Sequence, residues 1–256
     1  SIDASSLNFL NNPTSSPCPL PLTPGAAFPN SNDPPVQPMP ISQGNINDWE
    51  TAAEAGGVYN TGSAQCSPTV SMTLGPARLN CDWNVQNNIT ITITGPVWVN
   101  GDINLSNNVA LVLDSSFGND LSTVVIADAK NPPNQSNKGR IITENNVAIC
   151  GTEGYDSGAN KCHPRQPENN SYLMLLSTYS GAGRAINIEN NVEGAIFYAS
   201  QGAVGIENNV AVKEVTAYNL ELENNVVVTY ESGLSVAQFS SGPGARWEVT
   251  SWKEIE

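Results

Sequence analysis

The sequence predicts an all-β protein, a single-stranded parallel β-helix (β-solenoid) with one short N-terminal capping helix. Three observations predict it. First, an Asn-Asn pair recurs inside one apolar frame, as in Ile103-Asn-Leu105-Ser-Asn107-Asn108-Val109, Ile186-Asn-Ile188-Glu-Asn190-Asn191-Val192 and Leu220-Glu-Leu222-Glu-Asn224-Asn225-Val226. Counted from the first Asn, positions −4, −2 and +2 are apolar, so they share one face of an extended chain. The frame also holds around Asn87-Asn88 and Asn208-Asn209, and around Asn145-Asn146 with Thr143 as one polar substitution. Second, the pairs are spaced as repeats: 20 residues from Asn87 to Asn107, 18 from Asn190 to Asn208 and 16 from Asn208 to Asn224, each near one β-helix coil. The intervals of 38 from Asn107 to Asn145 and 45 from Asn145 to Asn190 hold either two coils or one coil with a loop. Third, the composition, 39% hydrophobic and 13% charged over 256 residues, is an ordinary globular balance poor in helix formers.

The elements follow in chain order. Residues 1–44 hold most of the prolines, including Pro17, Pro19, Pro21, Pro34 and Pro35, and read as an extended segment, either a stalk or a strap along the domain. Residues 45–80 are the capping helix and its lead-in. Asn47-Asp-Trp49-Glu50 has capping-box spacing, and Thr51 to Ala55 propagates the helix until Gly56-Gly57 stops it. A solenoid exposes an apolar end, so this helix is expected to cover the first coil with Trp49 as the plug. Residues 81–256 are the solenoid, with strands at Ile89–Thr94, Val97–Val99, Val109–Leu113, Thr123–Ile126, Tyr172–Leu176, Ala195–Tyr198, Val210–Val215 and Val226–Tyr230. Loops interrupt it at 131–139 and 151–170, where Gly, Pro and polar residues cluster, and Asn169-Asn170 reads as a loop pair. The alternating Trp247 to Trp252 tail suits a final strand that closes or flanks the stack.

Asn tolerates left-handed backbone geometry, and its short amide can bond the Asn one coil away. Asn87, Asn88, Asn107, Asn108, Asn145, Asn146, Asn190, Asn191, Asn208, Asn209, Asn224 and Asn225 are therefore read as structural corners rather than ligand residues.

A net charge of −14 and the absence of a basic stripe argue against nucleic acid and against anionic membrane surfaces. No stretch of 18 apolar residues is present, so neither a bilayer span nor a signal peptide is read in the sequence as given, and no membrane contact is expected of it. The chain, beginning at Ser1, reads as part of something longer. Cys18, Cys66, Cys81, Cys150 and Cys162 form no C-x-x-C unit and accompany one His, His163, which disfavours zinc. Cys66 and Cys81 bracket a turn, Cys150 and Cys162 bracket a Gly-rich loop, and the expectation is two local disulfides in an extracellular setting with Cys18 left over.

Glu144, Glu189, Glu207 and Glu223 each precede an Asn pair, with Gln86 and Ser106 at the earlier copies. Stacked about 4.8 Å apart, such carboxylates repel by about 1 kcal/mol per pair in a water-like dielectric. Splaying into solvent relieves this, and so would bound Ca²⁺, the single cofactor the sequence suggests. Asp102, Asp114, Asp120 and Asp128 lie on different turns and define no catalytic pair, and a lone His supports no Ser-His-Asp device. Tyr59, Trp98, Tyr155, Tyr179 and Tyr198 would stack on sugars if exposed, but are read first as core or coil-end covers.

The segments Thr94 to Gly101, Ser171 to Thr178, Ala195 to Ala199, Thr229 to Leu234, Phe239 to Gly244 and Trp247 to Glu254, taken together, resemble the extracellular part of PilX-like type IV pilus assembly proteins. The resemblance covers roughly residues 40–256. It implies a right-handed coil and, in the parent protein, a pilin-like hydrophobic helix ahead of the region like Trp49 to Gly57. It brings no catalytic residues. The expected function is that of a non-enzymatic, extracellular, pilus-associated surface domain serving adhesion, contact or filament assembly, with a protein or glycan surface, other pilus subunits or copies of itself as partner. The alternatives are a secreted carbohydrate-binding or carbohydrate-active (lyase or hydrolase) β-helix and a self-assembling filament subunit.

Overall fold

Three parallel sheets account for nearly all the strands. The structure, a computed structural model, describes residues 39–119, 121–130, 137–165, 171–194, 196–229, 239–240 and 246–247. Residues 1–38 of the Pro-rich segment, Cys18 among them, and Asp120, Asn169-Asn170 and Trp252 lie outside these. Sheet A comprises Val58–Asn60, Ala77–Asn80, Val97–Val99, Thr123–Ala127, Leu173–Ser177, Ile196–Ala199 and Glu214–Thr216. Sheet B comprises Trp83–Gln86, Ile103–Ser106, Ile141–Glu144, Arg184–Glu189, Ala203–Glu207 and Asn219–Glu223. Sheet C comprises Met72–Leu74, Thr90–Ile93, Ala110–Leu113 and Ala148–Cys150, and Glu193 then bridges Ala148 to Ala211 of the pair Ala211–Val212 and Val227–Val228. From Ala77 onward the chain visits A, B and C in rotation, and each strand pairs with its counterpart in the next cycle.

The sequence frame is the register of sheet B. Position −4 runs Trp83, Ile103, Ile141, Ile186, Val204, Leu220, and position −2 runs Val85, Leu105, Thr143, Ile188, Ile206, Leu222, each residue beside the next. Both rows point inward and are fully buried until the last strand, each large side chain contributing on the order of 1.5–3 kcal/mol. The two long intervals are single cycles: Ile103 pairs directly with Ile141, and Ile141 with Ile186. The extra residues leave as loops, so the register is unaffected.

Thr143 is the one polar member of its row, fully buried, with its hydroxyl donating to the Asn187 carbonyl at 3.5 Å. So long a bond offsets little of the hydroxyl's desolvation. Thr143→Val is expected to raise stability by about 0.5–1 kcal/mol, measurable as a higher urea midpoint at unchanged slope.

The helix differs from expectation in start and in place. It spans Gln43–Gly56, five residues earlier than a cap at Asn47 suggests, because Ser42 is the N-cap and accepts from the Asn45 amide at 3.2 Å. It does not cap the first cycle. Ile46, Trp49 and Ala53, one helical stripe, are buried, and the helix packs on the Ala77–Asn80 and Val97–Val99 strands of sheet A. The physical reason lies in the sheet: Val97–Val99, directly under the helix, is buried at every position, as are Thr123–Ala127, Leu173–Ser177 and Ile196–Ala199 further along, so such strands present side chains on both faces and need an outer layer. At the helix end a Cβ on Gly56 would lie 2.3 Å from the Pro76 carbonyl, a close approach only glycine permits. Tyr198 ties down the approach to the helix by accepting from the Ile41 amide at 3.0 Å. Phe239 bridges to Ser122 and stacks edge-on against Trp49 at 6.2 Å.

The segment between Val58–Asn60 and Met72–Leu74 covers the end where the helix was expected. Its Cys66 carbonyl accepts from the Asn84 amide at 2.9 Å on the edge strand of sheet B, and Cys66 is bonded to Cys81. The second disulfide, Cys150–Cys162, closes a hairpin of Tyr155–Asp156 with Lys161–Cys162. Stable disulfides of this kind form in oxidising compartments. No helix among the described residues is long and apolar enough to cross a membrane.

Candidate functional site

All twelve Asn of the six pairs have positive φ, between 52° and 65°, in the left-handed region where a short side chain that can bond locally is favoured. Two such residues in succession turn the chain from sheet B towards sheet C. Backbone bonding continues around the corner, as in Asn88 N–H to the Asn107 carbonyl at 3.0 Å and Asn191 N–H to that of Asn208 at 3.0 Å, so the corner amides from Asn87 to Asn209 are satisfied. Side-chain amides form a second ladder: Asn146 donates to Asn108 and Asn108 to Asn88, both at 3.0 Å, while Asn225 donates to Asn209 at 3.2 Å and Asn224 to Asn208 at 3.1 Å.

Further Asn ladders arise that single residues in the sequence do not announce. Asn80 donates to Asn60 at 3.0 Å, Asn100 to Asn80 at 3.5 Å, and Asn104 to Asn84 at 2.9 Å. They are found only by laying the 20-residue spacing over every position of the strand cycle rather than over the Asn pairs.

The outer face of sheet B carries the acidic row. Gln86, Ser106, Glu144, Glu189, Glu207 and Glu223 are consecutive neighbours, as the frame requires. Among the described residues no three His, Cys, Asp or Glu side chains gather where they could hold a metal ion; the row is linear. A cation is supplied from within. Arg184 lies across the sheet and pairs with Glu207, with Glu221 at 2.7 Å and with Glu223 at 3.3 Å, and donates to Asn187 at 2.8 Å. The bonds to Glu207 and Glu221 push its pKa above the ordinary arginine value. Asn187 donates to Glu189. Calcium is thus not required to relieve the repulsion at this end of the row.

Gly205 makes the arginine's position available, since a Cβ there would lie 2.2 Å from Arg184 Nε and 2.3 Å from Cδ. Gly205→Ala is expected to lift the guanidinium off the sheet and cost about 1 kcal/mol, or about 2–4 °C in melting temperature. In 1 M NaCl part of that loss should return, because salt screens the uncovered carboxylates. Equal losses at both salt concentrations would show that the guanidinium had not been displaced.

The scattered aspartates have separate structural tasks. Asp102 accepts from Gly139 N–H at 2.9 Å and Arg140 N–H at 3.0 Å, and Lys138 bridges it at 3.0 Å to Asp82 at 2.7 Å. Partial burial alone would lower the Lys138 pKa, but the two carboxylates outweigh it and hold the group above its ordinary value. Asp114 caps a single 3-10 turn through the Ser116 amide. Asp128 stands beside Lys130 at 3.3 Å, and Lys130 also pairs with Glu50 of the helix. Burial and then the neighbouring Asp128 push the Glu50 carboxyl up to about 8. The sequence reading had Glu50 only as part of a helix cap.

Of the five aromatics, Trp98, Tyr179 and Tyr198 are buried. Trp98 lies under Arg78 at 4.1 Å and donates to the Asp128 carbonyl at 2.8 Å, and Tyr179 lies under Arg140 at 4.4 Å. Tyr59 packs partly buried against the core, and Tyr155 packs under the disulfide hairpin beside Ala110 and Ala148.

That hairpin forms one wall of an open groove of about 670 Å³ along the Asn corners, lined by Asn108, Asn146, Asn160, Lys161, Asn191 and Glu193 among others. Asn160 fastens the hairpin by donating to Asn108 at 3.3 Å and to the Asn146 carbonyl at 3.2 Å.

No protein-family model matches the chain, and neither a curated protein nor a solved structure does.

Proposed function

We propose that the three sheets are the faces of one right-handed β-helix, and that this is a non-enzymatic extracellular surface domain, pilus-associated as its sequence resemblance suggests, serving adhesion or contact. The observation that carries the functional reading is the chemistry of the outer faces. On sheet B, Arg184 engages Glu207, Glu221 and Glu223 and Asn187 engages Glu189, while Lys138 engages Asp82 and Asp102, whereas a glycosidase needs two carboxyls free to move a proton and meet a sugar. A stack with its backbone bonds satisfied internally and its loops tied by disulfides offers long, rigid polar faces to a partner.

Beads carrying the protein should be retained on bacterial or host cell surfaces above beads carrying an unrelated domain of equal charge, and polysaccharides incubated with the protein should release no reducing ends. Retention at the control level would refute the contact function, and enzymatic release would move the reading to a carbohydrate-active enzyme.

Assembly into a filament is a second reading, favoured by one observation. In the last described cycle Tyr218, Leu220, Leu222, Val227 and Val228 are about half exposed, although Leu220 and Leu222 occupy inward positions. Sedimentation that rises with protein concentration would support it, and a monomer throughout would remove it.

A further inference from the structure

We propose that the groove at the Asn191 corner binds a neutral saccharide chain, an inference that rests on the contact function above and gives it a place. Three features of one cycle coincide there. Both side-chain ladders break at this corner. Among the described residues, no amide of Asn190 or Asn191 bonds to an amide of Asn145, Asn146, Asn208 or Asn209, although the backbone bonds above and below are intact. Sheet C thins at the same level to the single bridging residue Glu193. The hairpin wall is fixed over the gap by the Cys150–Cys162 bond, by Asn160, and by Cys162 N–H donating to Glu193 at 3.4 Å.

The broken ladder leaves the Asn191 amide facing a preformed groove. A primary amide offers one carbonyl acceptor and two N–H donors in a plane, which matches a vicinal diol presenting one O–H donor and one oxygen acceptor. Asn146 and Asn209 line the groove on either side of Asn191 at the strand spacing of about 4.8 Å; Asn146 has one N–H engaged on Asn108 and Asn209 has its carbonyl engaged by Asn225, so successive units of a chain would meet amides of complementary remaining capacity around Asn191. Lys161 and Glu193 are the charged residues lining the groove and are of opposite sign, and the protein carries −14 overall; uronates and sulfated sugars are therefore disfavoured. With one carboxylate in the lining, the groove holds and does not cleave.

The test uses the ¹⁵N-labelled chain and follows its Asn side-chain NH₂ signals during titration with cello-, malto-, xylo- and manno-hexaose, with hexagalacturonate for comparison. At least one neutral oligomer should shift the Asn191 and Asn209 signals saturably, with Kd about 1 mM for a site without an aromatic platform. Asn191→Gly keeps the left-handed backbone (φ 62° in the native chain) while removing the amide, and should weaken binding about fivefold or more. Silence from all four neutral oligomers at about 20 mM, undiminished binding in N191G, or tighter binding of hexagalacturonate would each overturn the proposal. Bead retention that persists alongside that silence would leave the contact function standing and remove only the groove.

Discussion

Leu105→Ala is expected to destabilise the protein by about 2–5 kcal/mol, whereas Leu222→Ala, the same substitution in the same inward row, should cost under about 1 kcal/mol. Leu105 is fully buried between Val85 and Thr143, but Leu222 in the last strand of sheet B is 52% exposed. Truncating Leu105 therefore opens a cavity in close-packed surroundings that can relax only partly, and truncating Leu222 removes atoms already half in water. Chemical denaturation of both variants measures the difference. Equal costs would mean that Leu222 is covered in solution, by the chain's own tail or by another molecule, and a Leu222 cost that grows with protein concentration would identify a second copy.

The second large effect concerns pH. Glu50 is almost wholly buried between the helix and sheet A, and burial first, then Asp128, raises its carboxyl from an ordinary 4.5 to about 8, against the opposing pull of Lys130. The folded chain accordingly holds a proton there that the unfolded chain has released, so the contribution of Glu50 to stability falls as pH rises from about 4.5 to about 8 and is level outside that window. The loss is on the order of a few kcal/mol. Glu50→Gln keeps the shape, can donate to Asp128, and has no proton to lose. Thermal melts at pH 5, 7 and 9 should show the native chain losing stability relative to this variant, with the gap widest at pH 9. Parallel profiles would place the titrating group elsewhere.

Residues that repeat in the sequence were those whose places could be read from it. The Asn pairs fix both the left-handed corners and, through positions −4 and −2, the inward rows of sheet B, because strand periodicity is short and local. Cys66–Cys81 and Cys150–Cys162 are separated by 15 and 12 residues, so proximity in sequence suffices. What escaped depends on the third dimension. Strands such as Thr123–Ala127 and Leu173–Ser177 are apolar at nearly every position, and such runs reveal burial on two faces without saying what covers the second; hence the helix was sent to the wrong surface. Lys138 meets Asp82 from 56 residues away, and Arg184 meets Glu221 and Glu223 from 37 and 39, pairings that exist only once the register of the coil is known. The break at Asn191 is less legible still, since its heptad, Ile186 to Val192, matches the regular frame residue for residue.

The unequal cycles have a consequence for how such a chain can change. Asn87 to Asn107 advances one rung in 20 residues and Asn145 to Asn190 advances one rung in 45, so the rung counts corners and ignores the length of chain between them. Material added between Cys150 and Cys162, or removed from it, alters what the molecule displays while its neighbours above and below keep their alignment. The corner pairs are the fixed type of this text, and the loops are its margins, open to rewriting without resetting a line.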